Sequence, residues 1–130
     1  MKKFKTLLVT GVLVGGTLAS NVAYARTIGN YDTIVGKLNG SGYTGHITKA
    51  TSNEPAVCNS SSNGGGYKVD VRIQRSTGTQ SSSWKRLSSG SRVSIPNTIG
   101  SGLTTRLHFS NDLTTAVNVQ VRGSWSPDTN

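Results

Sequence analysis

With one cysteine, Cys58, the chain cannot close an internal disulfide. Small extracellular domains often depend on such bridges, so this one has to rely on packing and hydrogen bonds. An unpaired cysteine outside the cell is a free thiol or a candidate intermolecular thiol. Cys58 opens the polar run Cys58-Asn59-Ser60-Ser61-Ser62-Asn63-Gly64-Gly65-Gly66, where it is expected to be reachable. The commoner fate of a lone cysteine is a buried bystander, and the sequence leaves both open. Acid is scarce as well. Asp32, Glu54, Asp70, Asp112 and Asp128 stand singly, no two of them within ten residues. Hydrolases generally need a nucleophile with an oriented base, or paired carboxylates in different environments. His46 and His108 are the only imidazoles. His108 and Asp112 have no third ligand in view, and Cys58 lacks the strand-turn-helix setting of an activated thiol. The run Gly64-Gly65-Gly66 opens a strand and no helix, so it is not a phosphate cradle. No enzyme activity, cofactor or metal is expected.

Long hydrophobic runs are missing except at the start. A basic leader, Met1-Lys2-Lys3-Phe4-Lys5, precedes an apolar stretch from Leu7 to Ala19 that ends in Ala23-Tyr24-Ala25. That pattern describes a secretory signal peptide over residues 1–25, cleaved after Ala25. The apolar core, about 13 residues, falls short of the roughly 20 needed to cross a bilayer. No cysteine marks a lipoprotein cut, and Ser124-Trp125-Ser126-Pro127-Asp128-Thr129-Asn130 has no apolar tail or basic cluster. The mature protein is therefore expected to be secreted without a transmembrane anchor. The style of the leader suits a Gram-positive bacterium.

What remains is basic and rich in small polar residues. Cleavage removes Lys2, Lys3 and Lys5, so 14 cations become 11 against five acids, a net charge of about +6. Such an excess favours anionic partners or simply keeps the protein soluble. Ser, Thr, Gly and Asn make up 17, 13, 13 and 9 of residues 26–130, or 52 of 105. These are poor helix formers, which excludes a helical bundle.

Period-two alternation supplies the strands. In Tyr67-Lys68-Val69-Asp70-Val71-Arg72-Ile73-Gln74-Arg75, Tyr67, Val69, Val71 and Ile73 share one face and Lys68, Asp70, Arg72 and Gln74 the other. Leu103-Thr104-Thr105-Arg106-Leu107-His108-Phe109 and Val117-Asn118-Val119-Gln120-Val121-Arg122-Gly123-Ser124-Trp125 repeat the pattern, with a shorter copy in Arg92-Val93-Ser94-Ile95. Further strands are expected over 33–38, 43–49 and 83–87, and Asn39-Gly40 between the first two is a hairpin signal. Residues 51–66 read as one long polar surface loop. About six to seven strands at this spacing predict a single all-β domain over 26–130, a small antiparallel β-sandwich or partly open barrel.

If the apolar faces meet in one core, the opposite faces carry Lys68, Arg72, Arg92, Arg106 and Arg122 with only Asp70 among them. These five form a candidate anion-binding face, with His108 expected on the solvent side beside Arg106. The bland reading is that water-facing strands carry charge anyway, to resist edge pairing. Trp84 and Trp125 are candidate interfacial aromatics, since tryptophan stacks on sugars and tolerates headgroup depth. The plainer reading of Trp84 is a core tryptophan on a short strand, and Trp125 also fits the core-facing register of its strand. Trp84-Lys85-Arg86 would also suit a single-strand binder, but no helix-turn-helix or zinc motif supports specific nucleic-acid recognition.

The segment from Leu103-Thr104-Thr105-Arg106-Leu107 to Val121-Arg122-Gly123-Ser124-Trp125-Ser126-Pro127-Asp128 resembles the closing strands of small uncharacterised secreted proteins of Gram-positive bacteria, which end in Gly-x-Trp and an acid. In layout the chain is similar to lactococcin-type bacteriocins. These resemblances imply a β-sandwich acting on a competitor's envelope. The expected function is binding of an anionic envelope polymer or lipid headgroup, in a bacteriocin-like role. The alternative is a secreted structural or interaction module: an adhesin-like or matrix protein, or an inhibitor of a secreted enzyme. Such a module would recognise a surface protein without killing.

Overall fold

Residues that alternate in the sequence alternate in burial. In the computed structural model, which describes residues 26–129, Val69, Val71 and Ile73 are fully buried while Asp70 and Arg72 are partly exposed. The expected signal segment, 1–25, lies outside the described residues. Among the described residues, nine strands form two antiparallel sheets. Sheet one runs in the order β1 (Gly29–Val35), β9 (Val119–Ser126), β4 (Ala56–Asn63), β7 (Arg92–Ile95). Sheet two runs β2 (Ser41–Tyr43), β8 (Thr104–Ser110), β5 (Val69–Arg75), β6 (Lys85–Leu87), and β3 (Ile47–Thr48) also pairs with β8. The sheets are not closed into a barrel, so the fold is the expected all-β sandwich.

The inner faces meet in one core. Val35, Ala56 and Val121 from sheet one pack with Val71, Ile73, Leu87, Leu107 and Phe109 from sheet two. Trp125, 2 % exposed, belongs to the same cluster, so it is a core residue and not an interfacial aromatic. At about 1.5–3 kcal/mol for each large side chain removed from water, this cluster stands in for the missing disulfides.

The largest departure from the sequence reading is β4. Residues 51–66, expected as a surface loop, contain an eight-residue strand in the interior of sheet one. Ala56, Val57 and Cys58 are buried, and the polar half continues inward through Ser60 and Asn63. Asn63 makes this tolerable: its amide donates to Tyr67 O at 2.9 Å and Leu87 O at 3.1 Å, while its oxygen accepts from Ser60 Oγ at 2.9 Å. Polar side chains enter a core when each group finds a partner. Cys58 is correspondingly out of reach. Its thiol, fully buried, bonds Tyr31 Oη at 3.5 Å, and burial pushes its pKa up to about 12. A protonated, enclosed thiol cannot pair with another chain unless the sheet opens.

Smaller differences follow from chain crossings between sheets. The first strand ends at Val35, and the turn that follows has both Leu38 (φ 53°) and Asn39 (φ 63°) in the left-handed region. It carries the chain from sheet one to sheet two and is not a hairpin. Tyr67, placed with the core residues by alternation, is 42 % exposed because β5 begins two residues later, after the turn Gly64–Gly66.

Candidate functional site

Two outer faces, not one, carry the five basic residues. Arg92 on β7 and Arg122 on β9 belong to sheet one, where Arg122 already pairs with Asp32 at 3.3 Å. Arg72 on β5 and Arg106 on β8 belong to sheet two. Lys68 is exposed one residue before β5. The expected single face is therefore divided across the sandwich, because the chain crosses repeatedly between its sheets.

On sheet two the register builds a compact row. β8 lies between β2 and β5, so His108 is opposite Tyr43 on one side and Arg72 on the other. The Tyr43 ring stacks on His108 with centroids 4.6 Å apart. Trp84, just before β6, meets His108 edge-on at 4.9 Å. The Arg72 guanidinium lies 4.2 Å over Trp84, and the Arg106 guanidinium 4.1 Å over Tyr43. The order across the face is cation, aromatic, imidazole, aromatic, cation.

Each arginine is held by one nitrogen and leaves the rest of its fork open. Arg72 Nε donates to His108 Nδ1 at 3.3 Å, and Arg106 Nε donates to Gln74 Oε1 at 2.8 Å. Neither guanidinium has a carboxylate within ion-pair reach among the described residues. Stacking fixes the guanidinium plane, and the Nε bond fixes its direction. Arg86, by contrast, is occupied by Asp112 and Asp70 at 2.5 and 3.3 Å. Free cationic forks beside half-exposed rings suit a ligand that carries oxyanions along a sugar or similar backbone.

His108 acts here as a neutral spacer. Arginine can only donate, so Nδ1 is the acceptor and the ring proton sits on Nε2, which reaches Ser41 Oγ at 2.9 Å. Burial, then Arg72, then Arg106 lower its pKa to about 4. The side expected from sequence is right, but His108 is covered, only 9 % exposed, beneath the two aromatics. The unfolded chain takes up this proton first, at its ordinary pKa of 6.5. Stability should fall as the pH drops from 6.5 to about 4, by on the order of 2 kcal/mol after allowance for solvent screening. Urea titrations across that window should show the slope flattened in His108→Gln, while carboxylate contributions remain in both proteins.

Sequence reading found Arg72, Arg106 and Trp84 but missed Tyr43, Ser41 and Gln74. Gln74 was placed on the solvent face; it is on that face, yet buried beneath Arg106 and bonded to Ser81 Oγ at 2.9 Å. Tyr43 is 65 residues from His108 (43 against 108), and nothing local announces the pairing. Asp112 pairs with Arg86, and the described residues hold no group of three His, Cys, Asp or Glu that could bind a metal. No family model, curated protein or solved structure matches this chain.

Proposed function

We propose that the chain is exported and that its mature domain binds an anionic polymer of the cell envelope through the outer face of sheet two. The observation that carries this is the state of Arg72 and Arg106: anchored through Nε, stacked on aromatic rings, and without a carboxylate among the described residues. A charge kept only for solubility has no need of such anchoring. Trp84 and Tyr43, 40 and 42 % exposed, offer ring edges to the polymer backbone. Binding is the whole activity in this reading, and killing of a competitor would follow from where the domain lands.

The test is binding of residues 26–130 to purified anionic wall polymer at low and physiological salt. Arg72→Gln with Arg106→Gln should weaken binding about a hundredfold, roughly tenfold for each charge-assisted contact, and flatten the salt dependence. Arg92→Gln with Arg122→Gln removes the same charge from the other sheet and should bind like wild type. Equal losses in both pairs would mean that net charge alone is responsible, and unchanged binding in the first pair would remove the site. Adding the domain to Gram-positive cultures then separates a bacteriocin-like protein, which lowers viability, from a module that coats cells without harm.

A further inference from the structure

Among the described residues, four of the five exposed large aliphatic side chains are concentrated; the fifth, Ile28, 56 % exposed, stands just before β1. Ile34, Leu38, Leu113 and Val117 are 53, 54, 73 and 44 % exposed, and all belong to the end of β1, the β1–β2 turn or the link from β8 to β9. Turn and link are tied together as one end of the sandwich. Leu38 N–H donates to Thr115 O at 2.7 Å, Asn39 N–H to Asp112 O at 3.1 Å and Lys37 N–H to Asn118 Oδ1 at 3.0 Å. Beneath them the buried Asn111 amide donates to Gly36 O at 3.0 Å and Val117 O at 3.3 Å.

Leu38 is the informative residue. Its φ of 53° lies in the left-handed region, which suits Gly, Asn or Asp and disfavours leucine. A strained leucine that is more than half exposed does little for the core, so an internal packing role does not account for it. Strain of this kind at an exposed tip points toward function. The charge around it is also sorted. Lys37 is exposed and makes no ion pair among the described residues. The nearby acids are occupied: Asp112 by Arg86, and Asp32 by Arg122 and Gln120. An aliphatic tip with a free lysine and neutralised acids complements a lipid surface with anionic headgroups, where alkyl groups enter the acyl boundary and the ammonium stays at headgroup level.

We propose that the β1–β2 turn and the β8–β9 link form a membrane-docking tip that places Leu38, Leu113 and Val117 into an anionic lipid surface. This tip is separate from the guanidinium row and does not depend on the polymer-binding reading.

The assay uses residues 26–130, the mature chain expected after cleavage, which keeps the apolar run 7–19 out of it. This chain should sediment with vesicles of equal parts phosphatidylglycerol and phosphatidylcholine, and less with phosphatidylcholine alone. Leu38→Asn should reduce partition about tenfold while raising the melting temperature by about 4 °C, because asparagine tolerates left-handed backbone. Leu113→Ser should reduce partition with the melting temperature unchanged. Opposite shifts in binding and stability exclude simple damage to the fold. The proposal is overturned if wild type sediments with neither vesicle, or if both leucine variants sediment like wild type. It is equally overturned if those variants abolish a concentration-dependent dimer instead, which would make the tip a contact between copies. Loss of vesicle binding in Arg72→Gln/Arg106→Gln, with Leu38→Asn unaffected, would assign the lipid contact to sheet two and remove the tip.

Discussion

Asp128→Asn should destabilise the domain by about 3–5 kcal/mol, the usual consequence of leaving one member of a buried ion pair without its counter-charge. Lys49 and Asp128 are fully buried, with Nζ 3.4 Å from Oδ1. The ammonium also donates to Glu54 O and Pro127 O, both at 2.6 Å. The carboxylate accepts backbone N–H groups of Ala50 at 2.8 Å and Thr51 at 2.9 Å. All three ammonium donors and both carboxylate oxygens are engaged, which is what makes such a pair tolerable away from water. Asparagine keeps an acceptor for one N–H but cancels the charge, leaving the ammonium facing only carbonyls.

Burial already holds the Lys49 ammonium below the ordinary lysine value of 10.5, with Asp128 opposing that shift. Folded Lys49 therefore releases its proton before the unfolded chain does, and stability gains as the pH rises toward 10.5. In Asp128→Asn the opposing charge is gone, so this alkaline gain should be larger than in wild type. Urea midpoints at neutral and alkaline pH measure both effects. A variant within about 1 kcal/mol of wild type at neutral pH would mean that the carbonyls alone suffice. Lys49→Met combined with Asp128→Asn should lose less than the two single changes added together, since neither charge is then stranded.

Gly123→Ala should cost about 3 kcal/mol. The register between β9 and β4 shifts between Arg122 and Gly123, leaving Ser61 unpaired. At that bulge a methyl group on residue 123 would stand 1.9 Å from Asn59 O and 2.7 Å from Tyr31 Oη. The first obstacle is backbone, which cannot rotate away. The second is the hydroxyl that donates to Asn59 O at 3.2 Å and accepts from the Cys58 thiol. Relief would require sheet one to part along its central pair of strands, with Trp125 two residues on losing its place in the core. Denaturant unfolding, together with the rate at which a thiol reagent labels Cys58, should report the same loss. A variant with wild-type stability would mean that the bulge yields more easily than its contacts suggest.

These two predictions give structural meaning to the closing motif. In Gly123-Ser124-Trp125 and the acid that follows, the glycine permits close approach, the tryptophan fills the core, and Asp128 locks the tail onto residues 49–51. The sequence marked these residues without revealing their roles, because each depends on a partner far along the chain. β5, β8 and β9 were legible because apolar residues recur at alternate positions through much of each strand. β4 was not, since its second half pairs buried Ser60 and Asn63 with main-chain and side-chain groups and so reads as a polar loop. In the candidate site the cations and Trp84 were visible as residue types. Their division between two sheets was not, nor was the junction with Tyr43, because pairing order leaves no periodic trace.

The pairing order also governs when this domain can exist. Among the described strands, only β5 and β6 are neighbours both along the chain and in a sheet. Among the described strands, the first has the last as its sole partner, from Val35 opposite Val119 to Gly29 opposite Trp125. Until β9 is in place, β1 and β4 lack the strand that joins them. Pairings of such long sequence separation form slowly, so closure of sheet one around β9 is a late step of folding, after the local β5–β6 pair of sheet two.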